Sequence, residues 1–184
     1  VNDIGEKAFE GCESYKKLNF PNLVNVKSHL FDNYGLFTSV ELNSVEYIGY
    51  YAFGSCEYLE DVRFQKSDTI SANAFKNCVN LKHIFSPKLV TLHCGAFDFT
   101  GLVNVELNSV KNLPASFGVI YTGYFAGCTQ LTHVTMKNIK ETGIKMFLNC
   151  NRLTYVDMPN LQIIKENTFQ GCSLLNNITF PKVF

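Results

Sequence analysis

The sequence predicts an α/β solenoid: a right-handed array of about eight 22-residue units. Each unit is expected to carry one short parallel strand on a concave side and helical or 3₁₀ turns on the return side. Three observations lead there. Phe9, Phe31, Phe53, Phe75, Phe97, Phe125, Phe147 and Phe169 are spaced 22 residues apart except for one step of 28. A short run with period-two alternation follows most of them, as in Leu59-Glu-Asp-Val62-Arg-Phe64 and Leu153-Thr-Tyr-Val156-Asp-Met158. Four of the five prolines, Pro21, Pro87, Pro159 and Pro181, fall twelve residues after their Phe.

Each element follows from its residues. The landmark Phe sits in a recurring Phe-x-x-Cys, seen as AFEGC (8–12), AFGSC (52–56), AFKNC (74–78), FAGC (125–128), FLNC (147–150) and FQGC (169–172). The alternating run buries one side and exposes the other, which defines a strand. A proline directly behind it, lacking an N–H, ends the ladder without interrupting it. A second apolar segment then leads to the next Phe, as in Leu23-Val24-Asn-Val26, Val45-Glu-Tyr-Ile48, Leu89-Val90-Thr-Leu92 and Leu161-Gln-Ile-Ile164. Twenty-two residues leave no room for a long crossover helix, hence the expected helical or 3₁₀ turn. Neighbouring coils about 4.8 Å apart place equivalent Phe rings within the roughly 4.5–7 Å range of stacked aromatics. Phe and Cys are thus expected to form an inward column.

Two units depart from the frame. Between Val110 and Phe125 the chain carries about seven extra residues, and one residue is missing just before Leu102. Insertions in repeat proteins map to loops, so a bulge on the return side is expected, with the strands at Leu102 and Leu131 still paired. In Leu81-Lys-His-Ile84-Phe85-Ser86-Pro87 the inward position holds Ser86 and the outward one an aromatic. Either the strand shifts and Phe85 turns inward, or the ring is presented to a partner.

The unit Leu153-Thr-Tyr-Val-Asp-Met-Pro-Asn-Leu-Gln-Ile-Ile-Lys-Glu-Asn-Thr-Phe-Gln-Gly-Cys172 resembles the BspA-like leucine-rich repeats almost position for position, and the resemblance runs through the whole chain. It departs from the general leucine-rich pattern because the Asn/Cys position after the strand is apolar and the Cys precedes the strand. The resemblance implies one solenoid domain over residues 1–184 and an extracellular or cell-surface location. It also implies adhesion to a host or cell-surface protein or glycan. The chain opens in one return segment (Ile4-Gly5, matching Ile48-Gly49) and closes in another (Pro181-Lys-Val-Phe184). That predicts part of a longer array, or end-to-end self-association through exposed coil faces.

Composition narrows the partners. Sixteen basic and sixteen acidic residues balance, which speaks against nucleic acid or a basic membrane-surface patch. No apolar run approaches the roughly 20 residues that span a bilayer, so no membrane insertion is expected. Six of seven cysteines share one column, with Tyr34 and Thr100 in the other two units. One Cys per coil suits a small buried side chain and not a tetrahedral zinc site. Seven is odd and parallel inward side chains are poorly directed for bridging, so reduced thiols are expected. His83 and His133 lie two coils apart, roughly 10 Å, and cannot share a metal or a proton. No triad, paired inward carboxylates or phosphate loop stands out, so neither an enzyme nor a cofactor is expected.

The outward strand positions can be written down as a surface, and charges and aromatics concentrate on it. The candidate ligand-binding residues are Glu41, Glu60, Asp61, Arg63, Lys82, His83, Phe85, Glu106, His133 and Tyr155. Glu60, Asp61, Arg63, Lys82, His83 and Phe85 cluster in neighbouring units, which favours a binding module over the alternative, a structural spacer that projects another domain.

Overall fold

A computed structural model describes residues 1–9, 18–34, 36–114 and 123–179. Eleven short strands lie in that region: β1 (Asn25–Val26), β2 (Ser39–Glu41), β3 (Tyr47–Ile48), β4 (Asp61–Arg63), β5 (Thr69–Ile70), β6 (His83–Phe85), β7 (Thr91–Leu92), β8 (Asn104–Glu106), β9 (His133–Thr135), β10 (Tyr155–Asp157) and β11 (Asn177–Thr179). Every pairing is parallel and joins equivalent positions one coil apart, such as Val40 with Val62 and Val134 with Val156. β2-β4-β6 and β8-β9-β10-β11 form the expected strand face, and β1-β3-β5-β7 form a second ladder on the return side. The result is a parallel β-solenoid.

The return side differs from expectation. No helical or 3₁₀ segment occurs among the described residues. The second apolar segment instead pairs as two-residue strands because its alternation, Tyr47 out and Ile48 in, matches a pleat. The Phe-x-x-Cys stretch is a turn. Left-handed backbone recurs two residues before and two after the landmark Phe, for instance at Asn73 and Asn77 (φ 56° and 62°) around Phe75. Asn adopts this region more readily than most residues. The turn exposes alternate N–H groups to the next coil: Asn73 donates to the Cys94 carbonyl (3.2 Å), Phe75 to Ala96 (2.8 Å) and Asn77 to Asp98 (3.0 Å). A helix would direct these donors along its own axis. The coil-to-coil ladder consumes them here.

Two stacked columns run through the core beside the buried Leu, Val, Ile and Met residues of the strands and return segments. All eight landmark rings stack, with centroids 5.8 Å apart for Phe9–Phe31, 5.1 Å for Phe53–Phe75 and 5.6 Å for Phe147–Phe169. Beside them each column thiol donates to the carbonyl of the Phe one coil back: Cys56 to Phe31 (3.0 Å), Cys78 to Phe53 (2.9 Å), Cys128 to Phe97 (3.0 Å), Cys150 to Phe125 (3.0 Å) and Cys172 to Phe147 (3.1 Å). Tyr34, in the same column, donates its hydroxyl to the Phe9 carbonyl. Thr100 donates to Phe97 (2.9 Å). Each described residue of the column is thus a donor to a Phe carbonyl, small in every unit but that of Tyr34, and adds a partner to a buried acceptor. The six described cysteines are free, and off-column Cys94 is buried packing; Cys12 lies outside the described residues.

Both irregular units are accommodated. β8 pairs with β9 in frame, Val105 opposite Val134, across the inserted segment. Asn112 still bridges Thr91, and Gly123 re-enters by accepting from Gly95 N–H at 2.5 Å, so the insertion leaves and rejoins on the return side. Its residues 115–122 lie outside the described part. Seven strands stand on the strand face among the described residues. The eighth expected unit has its outward Lys16 and Lys17 outside them.

Candidate ligand-binding surface

The register gathers most of the predicted residues into one patch. Glu41 on β2 stands beside Arg63 on β4, and Arg63 stands beside Phe85 on β6. In the adjacent column Asp61 stands beside His83. Glu60 and Lys82 precede these strands and pair at 3.1 Å. Arg63 Nε donates to Asp61 Oδ2 (2.9 Å), and its guanidinium carbon lies 5.9 Å from the Phe85 ring centroid. Asp61 Oδ1 is shielded from solvent and has no hydrogen-bond partner among the described residues. Such surface ion pairs are worth about 0–1 kcal/mol each. They neutralise the basic charges locally and contribute little to stability.

Of the two alternatives for Phe85, the inward turn does not occur. The register of β4 and β6 is regular, Phe85 is 40% exposed and Ser86 is 6% exposed, so the ring is presented and the serine is buried. Neighbouring coils place Leu42, Phe64, Leu107, Met136 and Met158 where this one places Ser86. A small residue therefore occupies a position built for a large one. Ile84 is correspondingly less buried than the central residues of β2, β4, β8, β9 and β10.

The strand face also opens at this point. Leu42 N–H bonds the Arg63 carbonyl (3.1 Å), Phe64 N–H bonds Phe85 (2.9 Å) and Leu107 N–H bonds Thr135 (3.0 Å), but the corresponding bond from Ser86 N–H to Glu106 is not made. The residue missing before Leu102 falls in the coil between these two strands, and β8 pairs in regular register with β9 and not with β6. A cleft of about 320 Å³ results, lined by Ile84, Phe85, Ser86, Pro87, Glu106, Asn108 and Ser109. Hydrogen bonds tie its far wall together and to Pro87. Asn108 Nδ2 donates to Glu106 Oε1 (2.8 Å), Lys137 N–H donates to Asn108 Oδ1 (3.3 Å), and Ser109 Oγ donates to the Pro87 carbonyl (2.7 Å).

His133 and Tyr155 are neighbours on β9 and β10, with rings 5.8 Å apart, and lie beyond the break. They form a separate pair. No three His, Cys, Asp or Glu side chains converge as metal ligands among the described residues.

The cleft was not predicted, although the residue missing before Leu102 and the serine at 86 mark its place in the chain. The hexapeptide Val-Glu-Leu-Asn-Ser-Val occurs at 40–45 and again at 105–110. In both places the Asn amide holds the Glu carboxylate, at 2.9 Å for Asn43–Glu41 and 2.8 Å for Asn108–Glu106. Also unforeseen is Asp98, 1% exposed, whose carboxylate accepts from Gly123 N–H (3.2 Å) and Ala126 N–H (2.8 Å) where the inserted segment rejoins. Burial pushes its carboxyl up to about 6 against these two donors. Tyr124, whose hydroxyl donates to the Leu113 carbonyl (2.9 Å), fastens the same junction.

No curated protein matches the chain. Among solved structures it is similar to a leucine-rich cell surface protein from Faecalibacterium prausnitzii A2-165, at 18% identity and a TM-score of 0.49, over 87% of this chain and 52% of that one. The chain thus spans about half the length of that relative. A leucine-rich repeat protein from Bacteroides ovatus ATCC 8483 is similar at 20% identity and a TM-score of 0.49, over 99% of this chain and 71% of the other. The family model described as BspA type leucine rich repeat region matches in six copies, over residues 1–101 and 96–184. With the stacked Phe column and the parallel coil that those copies encode, the chain belongs to the BspA-type leucine-rich repeat family.

Proposed function

We propose that the chain is a non-enzymatic recognition module of an extracellular or cell-surface protein, holding a host or cell-surface protein or glycan on its strand face. The observation that supports this best is Phe85. A large ring is left 40% exposed at the centre of a charged patch, while the core position next to it is filled by a serine. A spacer gains nothing from that exchange, since burying a Phe side chain is worth about 1.5–3 kcal/mol. Aromatic residues with a polar rim are where interface energy concentrates. Membership of a repeat family whose units build extended surfaces supports the same reading.

Replacing Phe85 by Ala tests it against a panel of extracellular-matrix proteins, cell-surface proteins and glycans. Capture should fall by the 2 kcal/mol or more typical of an interface anchor, with little change in thermal stability. A variant that loses several degrees of melting temperature but captures ligand unchanged would show that Phe85 is a core residue.

A further inference from the structure

We propose that the cleft between β6 and β8 receives an arginine side chain of a protein partner, its guanidinium stacked on Phe85 and paired with the Glu106 carboxylate. This rests on the strand-face reading and names the chemistry of its centre. The first support is charge. Arg63 and Lys82 are paired with Asp61 and Glu60, whereas Glu106 has an amide partner, Asn108, and no cation among the described residues. Glu106 lines the cleft together with Phe85 and stands beside Thr135 of β9 in the ladder. It is an acceptor held in place, with lone pairs left over for a donor.

The second support is the arrangement on the other side of Phe85. Asp61, Arg63 and the ring already form a carboxylate, guanidinium and aromatic sequence, at 2.9 Å and 5.9 Å. Across the cleft the same ring and a second carboxylate recur, and only the guanidinium is missing. A planar guanidinium can lie on a ring face and bond a carboxylate in its own plane, which an ammonium does less well. Volume agrees: about 320 Å³ is at the lower end of the roughly 300–1,000 Å³ of ligand sites, enough for one side chain. Ser86 N–H, outside the ladder, gives the partner's backbone a donor to meet.

The test uses the whole chain, isotopically labelled, titrated at low salt with the capped peptide acetyl-Gly-Gly-Arg-Gly-Gly-amide. The same peptide with citrulline, which keeps the shape and loses the charge, is the comparison. Amide shifts should change at Ile84–Ser86 and Glu106–Ser109, with citrulline at least about tenfold weaker. Glu106→Gln and Phe85→Leu should each weaken the arginine peptide by about tenfold while leaving the unperturbed spectrum intact. Equal binding of citrulline, or no effect of Glu106→Gln, overturns the proposal. Arginine-dependent shifts confined to His133 and Tyr155 would overturn the cleft assignment and leave strand-face recognition standing. So would glycan capture that Phe85→Ala abolishes without any response to arginine, since the occupant would then be a saccharide. If neither peptide nor glycan engages the strand face, both readings fail together.

Discussion

Replacing Phe75 by Ala removes the centre of the aromatic column. Its ring is fully buried and stacks at 5.1 Å on Phe53 and 5.3 Å on Phe97, with Phe64 at 6.0 Å. Truncating a buried Phe to Ala costs about 3–5 kcal/mol, and each aromatic pair lost accounts for about 0.5–1.5 kcal/mol beyond area. With two close stacks lost and a backbone tied on both sides to its neighbours, the site cannot collapse, so about 4–5 kcal/mol is expected. For a chain of this size that lowers the melting temperature by roughly 8–20 °C. Phe75→Leu keeps most of the apolar volume and loses only the stacks, which should cost about 1–3 kcal/mol. Phe169 is only partly buried and, among the described residues, stacks on Phe147 at 5.6 Å, so Phe169→Ala should cost about half as much as Phe75→Ala. Thermal and urea unfolding followed by far-UV circular dichroism reads all three, since the chain has no tryptophan. In a nearest-neighbour array a central defect severs two interfaces and an outer one severs fewer. Equal losses for Phe75→Ala and Phe169→Ala would refute the column as the source of coil-to-coil coupling.

Burial pushes the thiols of Cys78, Cys128, Cys150 and Cys172 up, Cys128 to about 12 and Cys172 to about 11, and Cys56 is itself buried. A thiol reagent at pH 8 should therefore leave Cys56, Cys78, Cys128 and Cys150 unmodified in the folded protein and reach half-buried Cys172 first; bridged or rapidly labelled column cysteines would contradict this. Folded Asp98, raised from 3.8 to about 6, keeps a proton that the unfolded chain releases between about pH 4 and 6. Its contribution is present in full below the unfolded value and is lost as pH rises to 7, on the order of 3 kcal/mol, so the wild type should lose stability relative to Asp98→Asn across that window. A Cβ on Gly143 would sit 1.8 Å from the Tyr124 ring. Gly143→Ala should destabilise by about 1–3 kcal/mol, and much less in a Tyr124→Ala background, which a double-mutant cycle measures.

The sequence by itself determined the coil, because a 22-residue period leaves each unit only its neighbours to bury against. The Phe ring spacing, the strand positions around Val62, Val134 and Val156, and the outward placement of Arg63 all follow from period and alternation, whereas these leave the orientation of Phe85 open and the register of β4 and β6 decides it. The turn conformation did not, because a helical turn and a left-handed turn can carry the same Ala-Phe-x-x-Cys. The choice depends on N–H donors meeting carbonyls one coil away. Nor could the thiol-to-carbonyl bonds be read, since the acceptor Phe lies 25 residues from its donor in most coils. The cleft is the clearest case. The missing residue before Leu102 and the serine at 86 are each visible in the chain. Only stacking brings them to one place, where the sheet parts beside Phe85.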